Sequence, residues 1–211
     1  MRPEVVDAAS LQAVSGANDA QMADLERFRA LLAEWNEKLN LVGPSALETF
    51  WPRHAWDSAQ LLRIEPAAKT WADLGAGAGF PGLVLAILLR DTPGAHVHLV
   101  ESLAKRCRVL EAVVGTLNLP ATVHNARAEG LSLKVDVVTA RAVAPLHKLL
   151  GFAEPYLKRG AVGLFLKGQD VASELTEATI YWKFDVKLTP SLSSAEGQVV
   201  RVKGLSRVRK V

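Results

Sequence analysis

The segment W71-A-D-L-G-A-G-A-G-F-P-G82 constrains the fold of this chain more than any other. A short apolar run, Thr70 to Leu74, enters it, and an aliphatic run, Leu83 to Leu89, leaves it. It therefore reads as the turn between a buried strand and a helix spanning Phe80 to Leu89, with Pro81 in the helix's first turn. Glycines at such a turn permit positive φ and let a ligand approach the backbone closely. In a doubly wound sheet this turn lies at the carboxyl edge of the strands, where ligands bind. Dinucleotides use glycine-rich turns too, but their pattern G-x-G-x-x-G would need glycine at position 80, where this chain has Phe80.

Two acids refine the ligand. Asp73 stands two residues before the first glycine, where it would repel a pyrophosphate and suit an ammonium group. S-adenosylmethionine carries an ammonium and no phosphate. Glu101 ends the next apolar run, where a carboxylate accepts hydrogen bonds from ribose hydroxyls. The segment Asn125 to Glu129 follows a third strand, at the place of an adenine. Each acid alone also suits a cap on a helix N-terminus. The two at matching strand ends, with glycines between, favour the ligand.

The rest of the chain alternates strand and helix. Strands are expected at His96–Val100, Ala121–His124, Val135–Ala140 and Val162–Lys167, and helices at Leu103–Leu117, Pro145–Leu157 and Val171–Ala178. Trp182–Lys187 and Gln198–Lys203 read as a closing antiparallel pair. Such alternation argues a mostly parallel, doubly wound α/β sheet covered on both faces. Before it, Asp19 to Leu39 has apolar residues at helical spacing, with Asp19 as N-cap candidate. A second helix is expected from Pro52 to Arg63, burying Trp56, Leu61 and Leu62. The chain thus divides into a helical extension, residues 1–66, and a sheet domain, residues 67–211. The first ~18 residues are the stretch most open to disorder.

With 211 residues the chain is long enough for one well-filled α/β domain. No run approaches the roughly 20 apolar residues that span a bilayer, and the N-terminus lacks the apolar core of a secretory signal. A single cysteine, Cys107, excludes an internal disulfide and a cysteine-based metal cluster. These features fit a cytoplasmic protein, expected to be a monomer. The net charge is only +3, but cations gather at Lys105, Arg106 and Arg108 and again at Arg201, Lys203, Arg207, Arg209 and Lys210. Such clusters suit a phosphate backbone, or are simply solvated.

Taken together, W35-N-E-K-L-N-L41, H54-A-W-D-S58, D73-L-G-A-G-A-G-F-P-G82, E101-S-L-A-K-R106, A126-R-A-E129, A140-R-A142 and L166-K-G168 resemble the RsmG (GidB) methyltransferases of small-subunit ribosomal RNA. The resemblance implies a class I S-adenosylmethionine-dependent methyltransferase fold, with a Rossmann-like seven-stranded sheet and an N-terminal helical extension. It implies methyl transfer to N7 of one guanine of 16S rRNA in the small ribosomal subunit or its assembly intermediate. By position it also implies cofactor contacts from Gly75, Phe80, Ala128, Glu129 and Arg141, beside Gly77, Asp73 and Glu101 of the reading above.

Guanine N7 has an exposed lone pair and needs no deprotonation, which accords with the lack of an acid–base dyad. Cys107, inside a helix and away from the sheet's edge, reads as core or boundary and not as a nucleophile. The place after the fourth strand reads T139-A-R-A-V-A-P145, without the Asn/Asp-Pro-Pro turn used on exocyclic amines. Arg141 there meets cofactor or guanine, or pairs with a loop carboxylate. His54 and Asp57 share a helix face and can hold each other. With Ser58 they either shape a guanine pocket or lock the extension in place. Lys167 is a candidate phosphate contact. No metal is expected. Two other classes stay open on the residues alone: a methyltransferase acting on a small molecule or protein, and a non-enzymatic nucleotide-binding module.

Overall fold

A computed structural model describes residues 3–208. Five parallel strands, β1 (Thr70–Leu74), β2 (His96–Glu101), β3 (Ala121–Asn125), β4 (Val137–Arg141) and β5 (Val162–Lys167), form most of one sheet. Two longer strands, β6 (Trp182–Pro190) and β7 (Gln198–Arg207), close it as an antiparallel pair beside β5. The order is β3-β2-β1-β4-β5-β7-β6, so the winding reverses between β1 and β4. Ligands bind outside the carboxyl ends of strands at such a switch point. β1, β4 and β5 are buried almost throughout because helices cover both faces, which is why they are nearly continuous apolar runs.

One face packs against α5 (Gly82–Leu88) and α6 (Ala104–Leu117), the other against α7 (Leu146–Leu157) and α8 (Val171–Tyr181). α5 starts two residues later than the aliphatic pattern predicts, because Phe80 and Pro81 belong to the turn. Among the described residues, no helix is long and apolar enough to cross a membrane.

The extension comprises α1 (Ala8–Ser15), α2 (Asp19–Leu39), a π-helical turn (Phe50–Ala55), α3 (Trp56–Ala59) and α4 (Leu61–Ile64). α1 occupies the stretch expected to be disordered. An Asp7–Ser10 capping box starts it, Leu11 is fully buried and Gly16 ends it at φ 73°. Asn18, not Asp19, caps α2, because Asn18 and Gln21 bond each other's backbone N–H reciprocally. The single helix expected from Pro52 to Arg63 is broken at Gln60, whose side chain is bound by residues of the β6–β7 connection. Trp56 and Leu61 are buried as expected, whereas Leu62 is only half-buried.

The extension lies on the α5 and α6 face and shares its core. Leu25, Phe28, Leu32, Phe50 and Trp56 belong to the same apolar cluster as Trp71, Phe80 and Leu83. Phe28 meets Phe80 with ring centroids 5.3 Å apart. Gln21 Nε2 donates to Leu88 O at 2.8 Å, and Arg90 pairs with Asp24.

Candidate active site

The turn after β1 is held in three places. Gly75 N and Ala76 N both donate to Val100 O, at 2.8 and 3.1 Å, fastening the turn to β2. Gly77 N donates to Glu101 Oε2 at 3.0 Å, while Leu103 N donates to Glu101 Oε1 at 2.8 Å. The buried Glu101 carboxylate therefore ties the β1 and β2 loops together, with Arg106 3.8 Å away. Gly82 N donates to Asp73 Oδ2 at 2.8 Å. Gly75 sits at φ 67°, and a Cβ there would lie 2.7 Å from Val143 Cγ2. Only glycine lets the two loops flanking the switch point come this close.

Asp73 is fully buried, and its Oδ1 has no hydrogen-bond partner among the described residues. Burial is the main reason its pKa rises to about 7, against the lowering effects of the Gly82 N–H and the Arg141 charge. A buried carboxylate oxygen without a partner, beside a glycine cradle, fits a ligand that brings a cation. The turn thus offers such a ligand one anion in Asp73 and, at the end of β2, a second carboxylate in Glu101. Beyond β3, Ala128 and Glu129 lie in a short 3-10 turn, Ala128 half-buried with its carbonyl accepting from Tyr156 Oη at 3.1 Å, Glu129 exposed. Burial, then the Glu129 charge, pushes the Tyr156 pKa up to about 12.

Arg141 ends β4 and organises the other side of the turn. Its guanidinium lies 4.9 Å from the Phe80 ring centre. Nη1 lies 2.8 Å from His54 Nδ1, donates to Arg53 O at 3.2 Å and is 3.5 Å from Asp57 Oδ2. A guanidinium only donates, so His54 Nδ1 accepts, and His54 is neutral with its proton on Nε2. In agreement, burial first and the Arg141 and Arg53 charges next pull the His54 pKa down to about 4. The His54 ring also stacks on Phe80, centroids 4.8 Å apart. His54 and Asp57 therefore do not hold each other; both hold Arg141. Asp57 Oδ1 accepts in addition from Gln60 Nε2 at 2.9 Å and Ser193 Oγ at 2.6 Å. Ser58 is fully buried and its hydroxyl donates to His54 O at 2.7 Å, so it braces the turn.

A cavity of about 500 Å³ opens beside Arg141, lined by Arg53, His54, Asp57, Ala142, Lys167 and Ser193 among others. It lies at the carboxyl ends of β4 and β5, bordered by the β6–β7 connection. Lys167, a candidate phosphate contact from the sequence, lines this cavity and is also held within the fold: its Nζ lies 2.6 Å from Glu174 Oε2 and donates to Ala144 O at 2.7 Å. Two of the C-terminal cations are likewise engaged, while Lys203 is exposed. Arg201 pairs with Glu65 and Arg207 with Glu154, each at 2.6 Å, while Arg209 and Lys210 lie outside the described residues. Cys107 is buried as expected but nearer the sheet's edge than its sequence position implied, with Sγ 3.2 Å from Glu101 O. Sequence reasoning missed Arg53, Gln60, Ser191 and Ser193. The serines carry only the signature of a polar turn, so nothing local marks them.

A sheet reversing at β1/β4, closed by an antiparallel pair and bearing an acid-flanked glycine turn at the switch point, defines a class I S-adenosylmethionine-dependent methyltransferase. Solved structures share this fold. The SAH-bound methyltransferase PaMTH1 of Podospora anserina superposes with TM-score 0.57 at 13% identity, over 92% of each chain. A SAM-dependent methyltransferase of Aquifex aeolicus gives 0.55 at 18% identity, over 82% of this chain and 97% of that one. The family is set by sequence: the GidB family model, rRNA small subunit methyltransferase G, matches residues 21–201, and the chain belongs to that family. The ribosomal RNA small subunit methyltransferase G of Caulobacter sp. (strain K31) is 66% identical over 206 residues, 98% of this chain and 93% of that protein. The protein of the same name from Caulobacter vibrioides (strain NA1000 / CB15N) is 64% identical over 99% of this chain and 97% of its own length.

Proposed function

We propose that this chain transfers the methyl group of S-adenosylmethionine to N7 of one guanine in 16S rRNA. The observation that carries the reading is the state of the ionisable groups around the cavity. Asp57 is occupied by Arg141, Gln60 and Ser193, Glu174 by Lys167, and His54 Nδ1 by Arg141. None is poised as a general base, and N7 of guanine needs none. The names of the family and of its relatives, which specify small-subunit rRNA, support the same substrate.

The bound cofactor supplies an electrophilic methyl group on a sulfonium. In this reading Gly75, Gly77, Ala128 and Glu129 cradle it, Asp73 and Glu101 meet its ammonium and ribose, and Phe80 and Arg141 wall off the side facing the cavity. The cavity takes the guanine. Catalysis is then alignment and exclusion of water. The ring that gains positive charge lies between carboxylates, Asp57 and Glu174, that the Arg141 and Lys167 cations already balance.

Incubation with labelled cofactor and small ribosomal subunits, followed by mapping, should find one 7-methylguanosine in 16S rRNA; label elsewhere, or none, refutes the reading. The cofactor assignment has its own test. Gly77→Asp places a side chain at φ 57° and a second anion beside Glu101, and should abolish S-adenosylhomocysteine binding in isothermal titration. Retained affinity would show that the turn does not hold the cofactor.

A further inference from the structure

We propose that five exposed cations around the carboxyl edge of the sheet, Arg53, Lys105, Arg108, Arg127 and Lys148, form the surface that holds the phosphates flanking the target nucleotide; this rests on the substrate being RNA. Separate elements bring them to one edge. Arg53 stands at the cavity, its main-chain oxygen fixed by Arg141. Lys105 and Arg108, three residues apart on the outward side of α6, follow β2. Arg127 comes two residues after β3, and Lys148 lies in the first turn of α7, after β4.

All five side chains are exposed, and none has an ion-pair or hydrogen-bond partner among the described residues. Four other cations are neutralised within the fold: Arg90 with Asp24, Lys167 with Glu174, Arg201 with Glu65 and Arg207 with Glu154. The loops that follow the strands at this edge add only three exposed acids, Glu129, Asp170 and Glu196, and the acid of the glycine turn, Asp73, is fully buried. A base seated in the cavity brings its own backbone to this edge. Lys69, Lys134 and Arg159, exposed at the opposite edge, are equally basic but far from any such path, and provide the control.

Each phosphate neutralised by a cation releases counterions, so binding weakens with salt by about 0.7 to 0.9 log units per contact per log unit of salt. The test measures affinity for small ribosomal subunits with S-adenosylhomocysteine present, between roughly 50 and 200 mM salt. The triple variant Lys105→Gln, Arg108→Gln, Lys148→Gln should make the slope shallower by roughly two, with about tenfold weaker binding at ~150 mM salt. Arg53→Gln alone should remove about one unit of slope. The triple Lys69→Gln, Lys134→Gln, Arg159→Gln should leave the slope unchanged. An unaltered slope in the first triple, or equal losses in both, overturns the proposal. S-adenosylhomocysteine affinity and melting temperature should match the parent in both triples, showing that fold and cofactor site stand. The outcome is separable from the proposed function, because the parent protein's transfer to guanine N7 would survive a failed rim.

Discussion

Asp73 and His54 lie on either side of the Phe80 turn, and folding shifts their titrations in ways that oppose each other. Asp73 has its pKa raised from 3.8 to about 7, so between those values the folded chain keeps a proton that the unfolded chain has released. That term makes stability fall as pH rises through the window, with the loss complete above about pH 7. His54 is shifted down from 6.5 to about 4, so the unfolded chain takes up a proton first as pH falls. Its contribution is present above pH 6.5 and lost toward pH 4. Asp73→Asn keeps an acceptor for the Gly82 N–H while removing the titration. Its stability relative to the parent should grow across pH 4 to 7, by an amount on the order of a few kcal/mol. His54→Gln should do the reverse, losing the acid sensitivity between pH 6.5 and 4. Urea unfolding at several pH values reads both; parallel curves for Asp73→Asn and the parent would show that Asp73 is not buried as a neutral acid. The same residue also explains its own retention: above neutrality an unpartnered carboxylate is a cost to the fold and an asset to a cationic ligand.

At the scale of the element, the glycine turn works by what its residues lack. A Cβ on Gly82 would lie 2.3 Å from Leu99 Cδ2 and 2.7 Å from Asp73 Oδ2. Gly82→Ala must therefore push α5 off the sheet or move Asp73, at a cost of roughly 1–3 kcal/mol. Gly115, inside α6, has nothing within 4 Å of the place a Cβ would take, and no positive φ. Gly115→Ala should be neutral or stabilising by up to about 1 kcal/mol, since alanine is the better helix former. Thermal unfolding should thus lower the midpoint for Gly82→Ala by several degrees and not for Gly115→Ala; equal midpoints would deny the close packing of α5 on β1. The turn, its two acids and the strand runs around it were legible because strand and helix periods and glycine chemistry are local signals. The broken helix between Phe50 and Ile64 was not. Its apolar spacing is helical throughout, and the break depends on Gln60 bonding Ser191 Oγ and Leu192 N, more than 130 positions away.

For the whole molecule, the extension is part of the sheet's core. Phe28, Phe50 and Trp56 bury against Phe80 and Leu83, and removing residues 1–66 would bare that face of α5. A chain beginning at residue 67 should therefore lose its cooperative thermal transition, while the full chain unfolds in one step. A truncated protein with a sharp transition of its own would show that the sheet folds independently. The extension also supplies His54 and Asp57 to Arg141, so the wall between the glycine turn and the cavity is built from both parts. Through Asp57 and Ser193 it anchors the β6–β7 connection that borders the cavity.

The sequence by itself determined the alternating α/β order, the place of the ligand turn, and the acids at two strand ends. These follow from side-chain periodicity and backbone freedom over a few residues. Only the tertiary structure decided which charges are spent on the fold. His54 meets Arg141 across 87 positions and Asp57 meets Ser193 across 136, distances over which no local pattern operates. The same long-range pairing engages Arg201 and Arg207 and leaves Arg53, Lys105, Arg108, Arg127 and Lys148 exposed at the carboxyl edge of the sheet. A sequence states that a residue is charged; whether that charge is neutralised inside the molecule depends on what folding brings beside it.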